Sequence, residues 1–368
     1  MLRPSRCSDV QMFRCSDLAN ERSLTATANI TAIMYPCNLL LLILCLTSII
    51  SNIQADADTN LRASEASNKN SPYSDASDLA SAYPRLTYGT AWKKDATSNL
   101  VYHAILAGFR HVDTACQPKH YHEVGVGEGW MAASEELGLE RSDIWLQTKY
   151  TSVSGQDPNR IPYNPESTLR DQVLESLQIS LQNLQTTYLD SWVMHGPEST
   201  WEDMFEVWNA MEEMVDAGLV KQIGISNFYD PSAVEYLYHN ARIKPAVVQN
   251  RFYGDSGYDV SIRKFCLEHG MEYQSFWTLG ANRHFLRHAR VQYLAREKNL
   301  SPETILYATA MKLGITPLDG TTNLEHMKED MNLLRRLRQD QEEIISDEEI
   351  EILKTILGIP EEEEEEEL

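Results

Sequence analysis

Between Pro84 and Leu357 the chain switches repeatedly between two hydrophobic rhythms, and the switching sets the predicted elements. Short runs with alternating or unbroken apolar positions predict strands at 86–88, 110–113, 144–149, 188–195, 220–226, 246–250, 272–276 and 315–318. Between them, apolar residues return every three to four positions. That spacing predicts helices at 98–107, 129–137, 167–184, 200–217, 230–240, 260–269, 291–298, 302–313 and 323–334, with another at 347–357. The clearest is 167–184, where Leu169, Val173, Leu177, Leu181 and Leu184 share one face. The punctuation agrees. Gly108, Gly138, Gly218 and Gly270 follow helical runs, Asp230-Pro231 opens one, and Ser199 or Thr200 caps another. Residues 150–165, rich in Gly, Pro, Asn and Asp, predict a long loop of the functional or mobile kind.

Strand–helix alternation of this kind implies a parallel sheet. Eight such units over 84–334 match the ~250 residues of a (β/α)8 barrel, so an α/β TIM barrel forming a single domain over 84–357 is expected. A doubly wound open sheet is the competing architecture. The first strand is not followed by G-x-G-x-x-G, which counts against it.

Charge and composition alter the picture mainly at the two ends. The 368 residues carry a formal charge of −22, which argues against nucleic-acid binding, since phosphate backbones need a basic face. Part of the acidity is the run Glu361–Glu367, expected to make 358–368 a solvated, disordered tail. Of six cysteines only Cys116 and Cys266 fall in the barrel, so no disulfide framework is expected and Cys116 reads as a packing residue. The apolar run Leu39–Ile50 is shorter than the ~20 residues of a spanning helix and matches the core of a secretory signal peptide. Ala55-Asp56-Ala57 supplies a cleavage site, making 1–57 a leader and the Ser-, Ala-, Asn- and Asp-rich 58–83 a linker. Entry to the secretory route is expected, with cleavage ahead of retention as a signal anchor and membrane contact only in the anchored case. A cytoplasmic enzyme with an unusual N-terminus is the alternative.

Barrel sites are built at the C-terminal ends of the strands. Those positions hold Asp113, Lys149 and His195 on the second to fourth strands, and Ser226-Asn227, Gln249, Phe276 and Gly320 on the fifth to eighth. A turn-rich segment after Asp113 delivers Tyr121. Taken singly, each has a plain structural reading: a turn carboxylate, a surface lysine, a turn histidine before Gly-Pro, a packed tyrosine. Placed together at successive strand ends, they favour a catalytic set.

The motifs that carry these residues resemble the aldo-keto reductases. They are Gly89-Thr90-Ala91-Trp92-Lys93, Gly108-Phe109-Arg110-His111-Val112-Asp113-Thr114-Ala115, Tyr121-His122-Glu123, Thr148-Lys149, Met194-His195-Gly196-Pro197, Gly224-Ile225-Ser226-Asn227-Phe228 and Val248-Gln249-Asn250, in family order. The resemblance implies a monomeric, metal-free oxidoreductase that reduces a small-molecule aldehyde or ketone with a nicotinamide cofactor. It implies Tyr121 as general acid, Lys149 lowering the tyrosine's pKa, Asp113 holding Lys149, and His195 orienting the carbonyl. It also sets Thr90, Ala91, Trp92 and Asp113 against the cofactor, and Ser226, Asn227 and Gln249 on its carboxamide. Phe276, or its neighbour Trp277, would stack on the nicotinamide ring. Thr321, Thr322 and Asn323 would meet a phosphate at a helix N-terminus, and Glu329 and Asp330 the adenine. The family's lysine and arginine for the adenosine 2′-phosphate fall on Gly320 and His326, so NADP(H) is the family expectation and NAD(H) the alternative. The segment Arg335–Glu343 replaces the loop that often closes over substrate, and the substrate stays unnamed. A non-catalytic, cofactor-binding regulatory relative is the competing function.

Overall fold

Each stretch with strand rhythm forms a strand, and together the strands close into one parallel barrel in chain order. The structure is a computed structural model, and it describes residues 85–360. The strands are β1 Thr87–Gly89, β2 His111–Asp113, β3 Trp145–Tyr150, β4 Leu189–Met194, β5 Val220–Ser226, β6 Val247–Arg251, β7 Glu272–Phe276 and β8 Ile315–Asp319. β8 pairs back to β1 through Thr87↔Leu318 and Tyr88↔Asp319. That closure excludes an open doubly wound sheet. The leader expected at 1–57, the linker at 58–83 and the Glu361–Glu367 run lie outside the described residues. Among the described residues, no helix is long and apolar enough to cross a membrane.

The helices begin and end where local chemistry satisfies their free backbone groups. Thr168, Thr200, Asp230 and Ser301 each accept a backbone N–H of the first turn. Gly108 and Gly138 take left-handed conformations that close two others. One helix starts well before its predicted boundary: it runs Glu123–Leu137 rather than from Gly129. Gly125, Gly127 and Gly129 lower helical propensity and hide its first turns. Packing accounts for them. A Cβ on Gly127 would meet the Asn183 carbonyl oxygen at 2.2 Å, and one on Gly129 the Ser98 carbonyl at 2.5 Å. Glycine therefore lets this helix lie against Thr97–Ala107 and Leu169–Asn183, and fixes the chain just after Tyr121. Two short helices, Thr278–Ala281 and Arg283–Arg287, follow β7 where no element was predicted. Leu324–Arg338 extends past its predicted end at 334.

The barrel interior is polar at the level of the strand ends. Along β3, the Thr148 hydroxyl donates outward to Glu123 on the surrounding helix (2.6 Å), so Gln147 and Lys149 face inward. Gln147 Nε2 donates to Gln274 (2.7 Å) and to Asp113 (2.8 Å), and Gln249 Nε2 donates to the same two residues (2.9 and 3.0 Å). Gln274 in turn donates to Glu272 (3.1 Å), which accepts from Thr316 (2.7 Å). The links among Asp113, Gln147, Gln249 and Gln274 are buried and paired, as a polar core requires, and those to Glu272 are partly exposed.

Candidate active site

Asp113 closes β2, and Lys149 is the next-to-last residue of β3. Lys149 is fully buried. Its ammonium donates to both Asp113 carboxylate oxygens (2.7 and 2.6 Å) and to the Thr114 carbonyl (2.8 Å). Its three N–H groups are thereby used. Burial pulls the lysine's pKa down, and the carboxylate works against that pull.

Tyr121 is half-buried beside this pair. Its ring centroid lies 5.3 Å from Lys149 Nζ and 5.9 Å from the His195 ring, the two rings meeting at 67°. Among the described residues its hydroxyl has no hydrogen-bond partner. Lys149 spends its three N–H groups on Asp113 and Thr114 and does not bond to it. The expected acidification is reversed as well: burial first, and the Asp113 carboxylate second, raise the phenol above its usual pKa. Lys149, held on both Asp113 carboxylate oxygens, does not outweigh them.

His195 follows β4 directly. Its backbone N–H donates to Tyr150 (2.8 Å) and its carbonyl accepts from Asn227 Nδ2 (2.7 Å). Nδ1 stands 2.6 Å from the Thr151 hydroxyl. Burial, then Lys149 and His120, hold the imidazole well below the usual histidine pKa, so it is neutral near pH 7.

These groups open on a cavity of about 740 Å³. Ala91, Trp92, Asp113, Tyr121 and His195 line one side, and Ser226, Asn227, Gln249, Phe276 and Trp277 another. Gly320, Thr321, His326, Glu329 and Asp330 line the β8 side. Lys149 lies behind Asp113 rather than in the wall. Thr90 is fully buried, its hydroxyl donating to the Asp113 carbonyl (2.9 Å). Thr322 and Asn323 also lie outside the lining, and the Asn323 side chain caps the helix Leu324–Arg338 through the Glu325 N–H (2.8 Å).

Trp92, Asn227 and Trp277 adopt left-handed backbone conformations (φ 65°, 61° and 59°), each just beyond the end of a strand. Large side chains rarely sit there, and such strain gathers where surrounding structure holds a site in shape. The end of the cavity lined by Ser226, Asn227 and Gln249 suits a carboxamide. The Asn227 amide nitrogen and Ser226 Oγ are 3.2 Å apart, and Gln249 uses its nitrogen on Asp113 and Gln274, keeping its carbonyl oxygen for a ligand N–H. The β8 end suits an anion poorly. The N–H groups of Thr321, Asn323 and Glu325 already donate to Asp319, Thr321 Oγ1 and Asn323.

Sequence reading passes over several residues of this site. Gln147 and Gln274 look like ordinary strand positions, Thr151 like part of a loop, and Arg251, Glu303 and Asp319 like surface charge. The usable signal is a large polar side chain at every second position of a strand, as in Gln147–Lys149 and Glu272–Gln274.

The model of the "Aldo/keto reductase family" matches residues 85–351. A "7-acetyl-epi-neemfruitin B aldo-keto reductase" from Melia azedarach is 30% identical over 278 residues, covering 68% of this chain and 80% of that protein. A "9,11-endoperoxide prostaglandin H2 reductase" from Trypanosoma cruzi is 27% identical over 255 residues, covering 68% of this chain and 82% of that protein. Among solved structures, the aldose reductase of Schistosoma japonicum shares the fold, with a TM-score of 0.59 at 22% identity, over 74% of this chain and 88% of that one. A closed barrel with Asp113, Lys149, His195 and Tyr121 at one rim, matched by that family model along its length, makes this chain a member of the aldo/keto reductase family, an oxidoreductase whose general chemistry is carbonyl reduction.

Proposed function

We propose that the protein reduces an aldehyde or ketone to an alcohol with NAD(P)H, and that Tyr121 supplies the proton. The observation that supports this most is the meeting of Tyr121, His195 and the Asp113–Lys149 pair beside one cavity. A bound nicotinamide supplies the hydride that arrives at the carbonyl carbon. Ser226, Asn227 and Gln249 hold its carboxamide, and Phe276 or Trp277 covers its ring. Neutral His195 turns Nε2–H toward the substrate's carbonyl oxygen, orienting it and stabilising the charge that develops there. Tyr121, kept protonated by its raised pKa, donates to that oxygen as its basicity rises. Lys149, 5.3 Å from the phenol ring, then faces the phenolate that remains. Trp92 and Trp277 are 65% and 55% exposed at the cavity, an apolar rim suited to a substrate with an apolar body.

The test is cofactor consumption with a reactive aldehyde such as nitrobenzaldehyde. Wild type oxidises the reduced cofactor, and Tyr121→Phe binds it without turnover. Cofactor binding by the wild type with no turnover across a broad carbonyl panel would instead identify a regulatory relative.

A further inference from the structure

The β8 end of the cavity carries an arrangement that the chemistry at Tyr121 and His195 does not use. Asp319 ends β8, and Asp330 lies on the helix Leu324–Arg338. Both line the cavity, yet they are only 1% and 4% exposed. Asp319 Oδ1 accepts from the Thr321 N–H (2.8 Å) and the Tyr307 hydroxyl (3.3 Å), while its Oδ2 has no donor. Asp330 Oδ1 accepts from the Thr304 hydroxyl (3.3 Å). Two buried carboxyls that line one wall, each with its pKa raised, do not both ionise readily, so the pair favours holding a proton. Asp330 is pushed up to about 9, by burial first and then by Asp319. Glu303 and Glu329 extend the same wall.

This wall is wrong for a phosphate. A phosphate monoester carries about −1.5 to −2 charges at neutral pH and needs cations or free N–H donors. In the 320–325 turn the N–H groups of Thr321, Asn323 and Glu325 are used by the chain's own oxygens. Lys93 Nζ donates to the Gly320 carbonyl (2.8 Å), and burial lowers its pKa to about 8. Lys328 is paired with Glu325 at 2.7 Å. Arg251, at the end of β6, lines the cavity over the Trp277 ring at 4.5 Å. A ribose hydroxyl, by contrast, is a donor, and the carboxyl oxygens of Asp330 and Glu329 are acceptors.

Resting on the proposed function, we propose that this end of the cavity is a ribose-diol site that rejects a 2′-phosphate, so that the protein selects NAD(H) over NADP(H). The carboxyl wall discriminates by repulsion at the one place where the two cofactors differ.

The test is equilibrium binding, read as quenching of the tryptophan fluorescence of the intact protein by NAD⁺ and by NADP⁺. Trp92 and Trp277 line the same cavity and report on both. NAD⁺ is expected to bind about tenfold or more tighter than NADP⁺. Asp319→Asn with Asp330→Asn narrows that ratio by raising affinity for NADP⁺. Glu303→Gln, at an exposed residue, does so to a lesser degree and guards against misfolding of the buried double variant. NADP⁺ binding as tightly as NAD⁺, or a ratio unmoved by every variant, overturns the inference and leaves carbonyl reduction standing. Failure of both nucleotides to bind overturns the two together.

Discussion

The Thr151 hydroxyl stands 2.6 Å from Nδ1 of His195 and joins the loop after β3 to the residue after β4. The loop is pinned rather than free. The Thr151 carbonyl accepts from the Tyr163 hydroxyl (2.6 Å) and from Gln156 Nε2 (3.1 Å), and Gln117 Nε2 donates to the Gly155 carbonyl (2.8 Å). A threonine hydroxyl donating to Nδ1 leaves the proton of a neutral imidazole on Nε2, the nitrogen needed to donate to a carbonyl oxygen. A Thr151 hydroxyl that donates here would make it a positioning residue for the imidazole, supplied by the long loop at 150–165.

Thr151→Val removes that donor and is expected to lower kcat about fivefold, the rate equivalent of one hydrogen bond of ~1 kcal/mol, with KM little changed. Thr151→Ser restores it. Because His195 titrates well below its usual range, the wild-type rate profile has no histidine step near neutral pH. Steady-state kinetics against pH for the three proteins checks both points.

Lys149→Met leaves the buried Asp113 carboxylate without its cation. Breaking a buried pair from one side costs about 3–5 kcal/mol, so the variant unfolds at much lower denaturant and is inactive. Adding Asp113→Asn removes the stranded charge. The double variant is expected to regain most of the stability and none of the activity, as urea unfolding and turnover together would show.

The acid pair at the β8 end makes stability depend on pH. The folded-state pKa of Asp330, about 9, lies above the ~3.9 of an unfolded aspartate, so across that interval the folded state holds a proton the unfolded chain releases. The groups around the pair are Asp319, Glu329, Glu303, Lys93, Tyr307 and Thr304. Stability attributable to this proton is full at low pH and falls as pH rises toward 9. Melting curves from pH 6 to pH 9 are expected to show the midpoint dropping in wild type and dropping less in Asp330→Asn, at about 2–4 °C for each kcal/mol. An equal drop in both proteins would remove Asp330 from the explanation.

What can be read from the chain before folding follows from what is local. Strand rhythm and glycine stops give the barrel because period and capping are properties of neighbouring residues. Asp113, Lys149 and His195 are legible because each lies at or beside the end of a strand and topology carries strand ends to one rim. The electrostatics of Tyr121 are not legible in this way, since the sign of its shift is set first by how deeply the folded chain buries the phenol and then by the nearby Asp113 carboxylate. Asp319 and Asp330 are eleven positions apart on different elements, and only their burial in one wall turns two surface-looking acids into a coupled pair. Gln147 and Gln274 are partners across the barrel, 127 residues apart.

Gly127→Ala tests whether glycine is required by close packing rather than by backbone flexibility. Gly127 is mid-turn in the helix Glu123–Leu137 and has no left-handed φ, so alanine should on propensity alone favour the helix by about 0.5–1 kcal/mol. The added Cβ would lie 2.2 Å from the Asn183 carbonyl oxygen and 3.1 Å from the Leu184 backbone, neither of which can swing aside. Overpacking of this kind typically costs about 1–3 kcal/mol and moves backbone. The net expectation is a lower melting temperature together with reduced turnover, because the displaced helix begins two residues after Tyr121. Gly127→Ala melting at or above wild type, with unchanged turnover, would show that the helix can shift without disturbing the phenol.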